Sequence, residues 1–372
     1  MLLVRRFDEH LLDVATPFNV GNMMNIIRII LGSLAFIFVE IAILPFQIVA
    51  VIVAAYYMIV VSSKLNTSMT ALKILEGRIL MHWFGLRMDP ESANLARNLP
   101  NFSLRSLSIV MFPLVVFYRI SGHSLIRLPN KGQEKFREFI YCRTPVYDDM
   151  IQSWSHRMNQ QGLQTQFVHL GAGFDTRSFQ PKRFGFLGDR FELDHPRVQQ
   201  IKRTAMTDGS LGVERPEELH FVGVDFEQDV DWVELLLAQG LDTTQPMIFL
   251  WEGVTLYLDE QSVLKTLNDI QTLCANAPEE TCVVITGLYS TQVIDFTYER
   301  SLNKTRKILE MTGESFKWGL PFESPEQWES VLKDFVNGVD GFSLGKYVGM
   351  GTNNPKGPYL VCTEMIVEQD KD

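Results

Sequence analysis

The residues best placed to do chemistry stand at the ends of four short apolar runs. Val168-His169-Leu170 leads straight into Gly171-Ala172-Gly173-Phe174-Asp175-Thr176-Arg177. A turn that sharp needs residues without a Cβ, and it leaves backbone amides pointing beyond the end of the run. Roughly 20 residues on, Arg190-Phe191-Glu192-Leu193 ends in Asp194, the spacing at which a neighbouring parallel strand brings a carboxylate to a ribose. His220-Phe221-Val222-Gly223-Val224 ends in Asp225-Phe226, and Pro246-Met247-Ile248-Phe249-Leu250-Trp251 ends in Glu252-Gly253. Four such ends describe an open α/β sheet whose carboxyl edge is lined with acceptors for a nucleoside.

The acidity of that edge selects among nucleosides. A dinucleotide site carries a third glycine and a helix N-terminus for pyrophosphate, whereas here Gly173 is followed by Phe174, Asp175 and Thr176. A cationic, phosphate-free nucleoside such as S-adenosyl-L-methionine suits these carboxylates better than a nicotinamide cofactor. Gly171 and Gly173, with Asp175 in the same turn, would receive its amino-acid part, the glycines by letting the backbone come close. Asp194 would accept both ribose hydroxyls, and Asp225 the adenine amine, with Phe226 packed on the base. The plainer alternatives are turn glycines, a helix cap before His195-Pro196 and a surface turn.

The ordered segments resemble the motifs of the leucine carboxyl methyltransferase family. The resemblance lies in Leu170 to Arg177, Phe191 to Asp194, Val224-Asp225-Phe226 with Asp231-Trp232, and Trp251-Glu252-Gly253-Val254-Thr255-Leu256-Tyr257-Leu258. Upstream, Cys142-Arg143-Thr144-Pro145-Val146-Tyr147-Asp148-Asp149 is similar to the family's Arg-Thr…Asp-Asp segment. Thr70-Ala71, Arg78 and Asp89-Pro90 are similar to its looser N-terminal pattern. The resemblance spans about residues 65 to 370. It implies a class I, Rossmann-like α/β methyltransferase with a mostly parallel seven-stranded sheet and a C-terminal antiparallel hairpin. It also implies that Arg143 pairs with the donor carboxylate, a contact suited to a planar guanidinium; a structural ion pair with Asp148 or Asp149 is the alternative. Glu252 would line the donor site near the sulfonium and amino group, with a general base as its competing role. Tyr257 reads as core rather than substrate contact, and His169 as a strand-end residue.

Methyl transfer from a sulfonium starts from an activated leaving group, so the protein mainly aligns the acceptor and excludes water. A carboxylate acceptor is ionised at neutral pH and needs no base, and no residue here stands out as one. The reading is therefore an O-methyltransferase acting on a carboxylate, or a hydroxyl, of a small or lipophilic substrate. A protein C-terminal carboxyl methyltransferase is the alternative enzyme. A non-catalytic membrane scaffold that keeps the fold is the alternative of another class.

The elements that must position this edge occupy only part of the 372 residues. A net charge of −10 argues against a nucleic-acid surface. Cys142, Cys274, Cys282 and Cys362 lack metal-ligand or disulfide-framework spacing, and the seven histidines are dispersed, so no metal is expected. From Ile26 to Val61 the only charges are Arg28 and Glu40, and Ile41 to Ser63 carries none. Such a run meets the ~20 residues that cross a hydrocarbon core. It reads as an N-terminal helical membrane segment, one span or a hairpin turning at Pro45. Arg5 and Arg6 before it, with Lys64, Lys73 and Arg78 after, favour both ends and the catalytic domain in the cytosol. Leu107 to Tyr118 is too short to span and would lie in the interface or lid the site.

The expected division is 1–63 as membrane anchor, 64–150 as helical cap and 151–372 as the S-adenosylmethionine-binding domain. Residues 65–85 show helical spacing in Leu72, Leu75, Ile79 and Trp83. Pro90, Pro100 and Pro113 mark an irregular region. Lys131 to Met158 reads as helical with a break near Pro145. Asp259 caps a helix through Leu273, strand five is Cys282 to Thr286, and Phe342 to Val348 pairs with Tyr359 to Val367.

Overall fold

The computed structural model describes residues 20–124, 126, 128–207, 218–226, 230–312 and 314–369; the charged lead at residues 5–13 lies outside them. The strand candidates assemble into one sheet. β1 (Gln166–Leu170), β2 (Arg190–Asp194), β3 (Leu219–Gly223), β4 (Met247–Trp251), β5 (Val283–Tyr289), β6 (Phe342–Met350) and β7 (Leu360–Val367) lie in the order β3-β2-β1-β4-β5-β7-β6. β1 to β5 run parallel, and β7 is antiparallel to β5 and to β6. β1, β4 and β5 are buried along their whole length, which is why their sequences are continuous apolar runs rather than alternating ones. Val168, Leu170, Phe249 and Trp251 face one core, while Phe167, Ile248 and Leu250 face the other. The connections from β1 and β4 leave in opposite directions, so a crevice opens between the two strand ends.

The chain enters through α1 (Val20–Tyr56), which continues through a π-helical turn (Tyr57–Val61) and Ser62–Leu65. Pro45 lies inside α1, so the hairpin alternative finds no turn there. A proline removes one helical hydrogen bond, whereas a turn would release those of two helix ends. With 37 residues, α1 is about 55 Å long.

Next come α2 (Met69–Trp83), α3 (Pro90–Asn98) and α4 (Leu104–Ser121). Each begins at a side-chain cap: Ser68 accepts from the Ala71 amide at 3.2 Å, and Asp89 and Ser103 accept from those of Ser92 and Ser106 at 3.3 Å. The region expected to be irregular is therefore largely helical. Pro90 sits at the first helical position, where no N–H is needed. Pro113 is carried inside α4, whose flanking apolar residues are packed. α5 (Phe139–Gln160) likewise runs unbroken through Pro145, and through the expected domain boundary at 150. The remaining long helices are α6 (Pro196–Thr207), α7 (Trp232–Ala238), α8 (Glu260–Cys274), α9 (Leu302–Thr312) and α10 (Trp328–Asn337). α8 starts at the expected Asp259 cap, 2.8 Å from the Ser262 amide.

α4 is fixed to the domain. Leu107, Met111, Leu114, Val115 and Tyr118 join Leu72, Leu75, Ile79 and Phe84 in a third core. α1 crosses α4 antiparallel: the Gln47 amide donates to the Val110 carbonyl at 3.2 Å, and a Cβ on Gly32 would lie 3.1 Å from the Cβ of Ser121. Most other described residues of α1 are exposed, with Phe38 at 76% and Phe46 at 66%.

Candidate functional site

The crevice beyond β1 and β4 holds a cavity of about 650 Å³, and Arg143, Gly171, Gly173, Asp175, Asp194, Asp225, Phe226 and Glu252 all line it. Two glycine positions shape its floor. Gly171 has φ +68°, and a Cβ there would come within 2.2 Å of Val254 Cγ2. Gly173, at φ +47°, donates its N–H to Asp194 Oδ2 at 2.7 Å, while the His195 amide donates to Oδ1 at 2.7 Å. Burial raises the Asp194 pKa, and the two amide donors work against it. The carboxylate is thus anchored by backbone at the cavity wall.

Behind this floor lies a buried lattice of charge. Glu252 Oε1 accepts from Arg143 Nε at 3.0 Å; its Oε2 accepts from Arg78 Nη2 at 3.1 Å and Arg177 Nη1 at 2.6 Å. Asp175 pairs with Arg78 at 2.6 Å and Arg177 at 2.7 Å. Asp148 pairs with Arg87 and Arg177 at 2.7 Å and with Arg183 at 2.8 Å, and Arg87 also meets Asp89. Burial alone would raise the pKa of Glu252, but the guanidinium groups of Arg177, Arg78 and Arg143 outweigh it and lower the value to about 2. A general base works best with a pKa near the working pH, so Glu252 is a fixed anion and its competing role as a base is set aside. His169, buried at the end of β1, is held neutral: burial lowers its pKa to about 3.

The lattice sets five guanidinium groups (Arg78, Arg87, Arg143, Arg177, Arg183) against four carboxylates (Asp89, Asp148, Asp175, Glu252), leaving one positive charge in excess. Two of its donors, Arg78 Nε and Arg143 Nη2, are buried with no hydrogen-bond partner, and both residues line the cavity. Unpaired buried donors are costly, so these two are suited to an anionic ligand group. Arg143 makes no ion pair with Asp148 or Asp149; its other partner is the Tyr289 hydroxyl. Gly253, at φ +71°, leaves room for it, since a Cβ would lie 3.1 Å from Arg143 Nη2.

Tyr257 is half-buried, lines this cavity and a second one beside it, and packs edge-on to Phe316 at 5.4 Å. It packs against the core, as expected, and also forms wall of both cavities. Sequence reasoning gave Arg78, Arg177 and Tyr289 no place in the donor site. Arg78 and Arg177 both stand within the motif segments, yet residue type alone does not separate an inward-facing arginine from a solvated one. Among the described residues, no group of three or more His, Cys, Asp or Glu is placed to hold a metal ion.

The family model described as leucine carboxyl methyltransferase matches residues 121–271, the same family that the ordered motifs resemble. A protein of Bacillus subtilis (strain 168), provisionally described as S-adenosyl-L-methionine-dependent methyltransferase YktD, is 30% identical over 191 residues, covering 51% of this chain and 55% of its own. A relative from Saccharopolyspora erythraea with the same provisional description is 32% identical over 142 residues, covering 36% of this chain and 44% of its own. The chain thus spans about half the length of the curated relatives it matches. Among solved structures, an O-methyltransferase family protein from Burkholderia thailandensis is 12% identical, with a TM-score of 0.39, covering 61% of this chain and 57% of that one.

Proposed function

We propose that this chain is an S-adenosyl-L-methionine-dependent O-methyltransferase that esterifies a carboxylate, and that it works at a lipid surface. The observation that carries the reading is the convergence of the glycine turn, Asp194, Asp225 with Phe226, and the two unpaired arginine donors on one cavity at the carboxyl edge of the sheet. The donor's carboxylate is received by Arg143 and Arg78, its ribose by Asp194 and its adenine by Asp225 and Phe226. The sulfonium, when bound, supplies the activated methyl group. What this chain contributes is position: a fixed negative charge at Glu252 and walls that exclude water. With Glu252 locked by three arginines and His169 held neutral by burial, neither is poised to take a proton from an acceptor, which favours an acceptor already ionised.

The lipid surface is proposed from α1. Met23–Leu65 is long and apolar enough to cross a membrane by length and composition, and so is Leu104–Ser121, whose helix extends beyond the run Leu107 to Tyr118 expected to be too short. Because the inner face of α4 is packed on α2, the α1–α4 pair is tied along the domain. We therefore assign α1 to the bilayer interface, its free apolar face in the acyl boundary.

Incubation with methyl-tritiated S-adenosyl-L-methionine and a panel of organic acids and alcohols tests the chemistry. Base-labile label on an acid, lost with Asp194→Ala, is the expected result. Label that resists base would move the acceptor to a hydroxyl. No transfer to any acid or alcohol by a protein that binds the donor would contradict the reading.

A further inference from the structure

The donor cavity has a neighbour. A second cavity of about 330 Å³ lies between α2, the first turn of α5, Leu256 and Phe316, and it meets the first at Thr70, Ile74, Arg143, Gly253 and Tyr257. Its walls beyond that neck are largely apolar: Leu80, Phe139, Ile140, Leu256 and Phe316. α2 and α5 close in at Gly77, where a Cβ would lie 2.8 Å from Ile140 Cγ2. Thr305 of α9 also lines the cavity, as do Lys73 and Glu76, paired at 2.8 Å.

We propose that this second cavity is the acceptor site, that it takes a small apolar monocarboxylic acid, and that the acid's carboxylate reaches the neck beside Arg143. The inference rests on the donor reading given above and adds the place and chemical class of the acceptor. Three observations carry it. The cavity volume is that of a compact ligand and lies at the low end of small-molecule sites. The apolar walls offer little to a peptide backbone, whose buried N–H and C=O groups need partners. Arg143 lines both cavities, and its Nη2 is buried without a protein partner and carries two N–H bonds, so that one serves the donor's carboxylate and the other favours an anionic acceptor oxygen over a neutral one. In the transfer, one carboxylate oxygen forms a bond to the donor's methyl carbon as the carbon–sulfur bond breaks. The electron pair stays on sulfur, the products are a methyl ester and the neutral thioether S-adenosyl-L-homocysteine, and no proton moves. Tyr257, against both cavities and Phe316, is the partition that aligns the two ligands.

Two substitutions fill the acceptor cavity from independent helices without touching the donor cavity: Ile140→Trp on α5 and Thr305→Trp on α9. The full chain, in neutral detergent and saturated with S-adenosyl-L-homocysteine, is titrated calorimetrically with 4-phenylbutyrate and with 4-phenylbutanol, its uncharged counterpart. The expected result is binding of the acid, at least tenfold weaker binding of the alcohol, and at least tenfold loss of acid binding in each variant. Affinity for S-adenosyl-L-homocysteine stays within twofold of wild type, which also shows that the variants fold. Equal binding of acid and alcohol, undiminished acid binding in a folded variant, or no acid binding by a wild type that holds S-adenosyl-L-homocysteine overturns the acceptor site while the donor reading stands. A folded wild type that fails to bind S-adenosyl-L-homocysteine removes the donor reading, and the acceptor site with it.

Discussion

The lattice behind β1 and β4 and the outer face of α1 depart from ordinary protein packing in opposite ways. Charged side chains are seldom fully buried, and large contiguous apolar surface is seldom exposed. Here Arg78, Arg143, Arg177, Asp175 and Glu252 are buried, while most large apolar residues of α1 face outward. In the first region the chain supplies its own compensation, carboxylate by guanidinium, with two donors left over for a ligand. In the second it supplies none, so the compensation must come from outside. The two regions therefore call for different partners: an anionic group inside, and outside an apolar surface, for which lipid is proposed above.

The comparison breaks most visibly at Glu252. Glu252→Ala leaves Arg78, Arg143 and Arg177 facing one another without their shared anion. Breaking a buried charge cluster in this way costs about 3–5 kcal/mol. Urea unfolding checks it, and a loss below about 1 kcal/mol would mean that water screens the cluster.

Gly171→Ala is the next test. It combines a residue at φ +68° with a Cβ 2.2 Å from Val254 Cγ2, for an expected loss of about 1–3 kcal/mol. Adding Val254→Ala should recover part of that loss; no recovery would place the whole effect in the backbone.

Acid should act on the lattice and spare α1. His169 falls from its ordinary 6.5 to about 3, so its neutral burial stabilises the fold above pH 6.5, and that contribution is lost as the pH drops from 6.5 toward 3. Glu252 falls from 4.5 to about 2, so its contribution holds above pH 4.5 and disappears as the pH drops from there toward 2. Stability against pH should therefore decline in two stages, and His169→Phe should flatten the upper one. A single decline beginning only below pH 4.5 in wild type would contradict the burial argument for His169.

The smallest effect on stability is expected on α1. Phe38→Ser with Phe46→Ser should change the unfolding free energy by no more than about 0.5 kcal/mol. Losing about 1.5 kcal/mol or more per phenyl ring from a lipid contact should weaken partition into phospholipid vesicles more than tenfold. Flotation with vesicles reads this directly, and unchanged partition would take the lipid role away from this face.

The sheet and the crevice were legible in the sequence because buried parallel strands are continuous apolar runs and their glycine and carboxylate ends fall at fixed intervals. Seven of the eight residues assigned to the donor site line one cavity for the same reason, and the eighth, Arg143, reaches it from α5. The helices were harder to read. Pro90 and Pro113 look like breakers, yet the first occupies a position that needs no N–H and the second is held in α4 by packing against α2. Pro45 and Pro145 likewise sit inside continuous helices. The arginine lattice was the least legible part. Arg78, Arg143 and Arg177 come from three separate segments, and only tertiary structure brings them onto Glu252.

The central claim is that the crevice binds S-adenosyl-L-methionine, and calorimetric titration of the full chain against Asp194→Ala tests it most directly. The account predicts micromolar binding by wild type and at least a tenfold loss in the variant. A folded wild type that takes up no donor would contradict it.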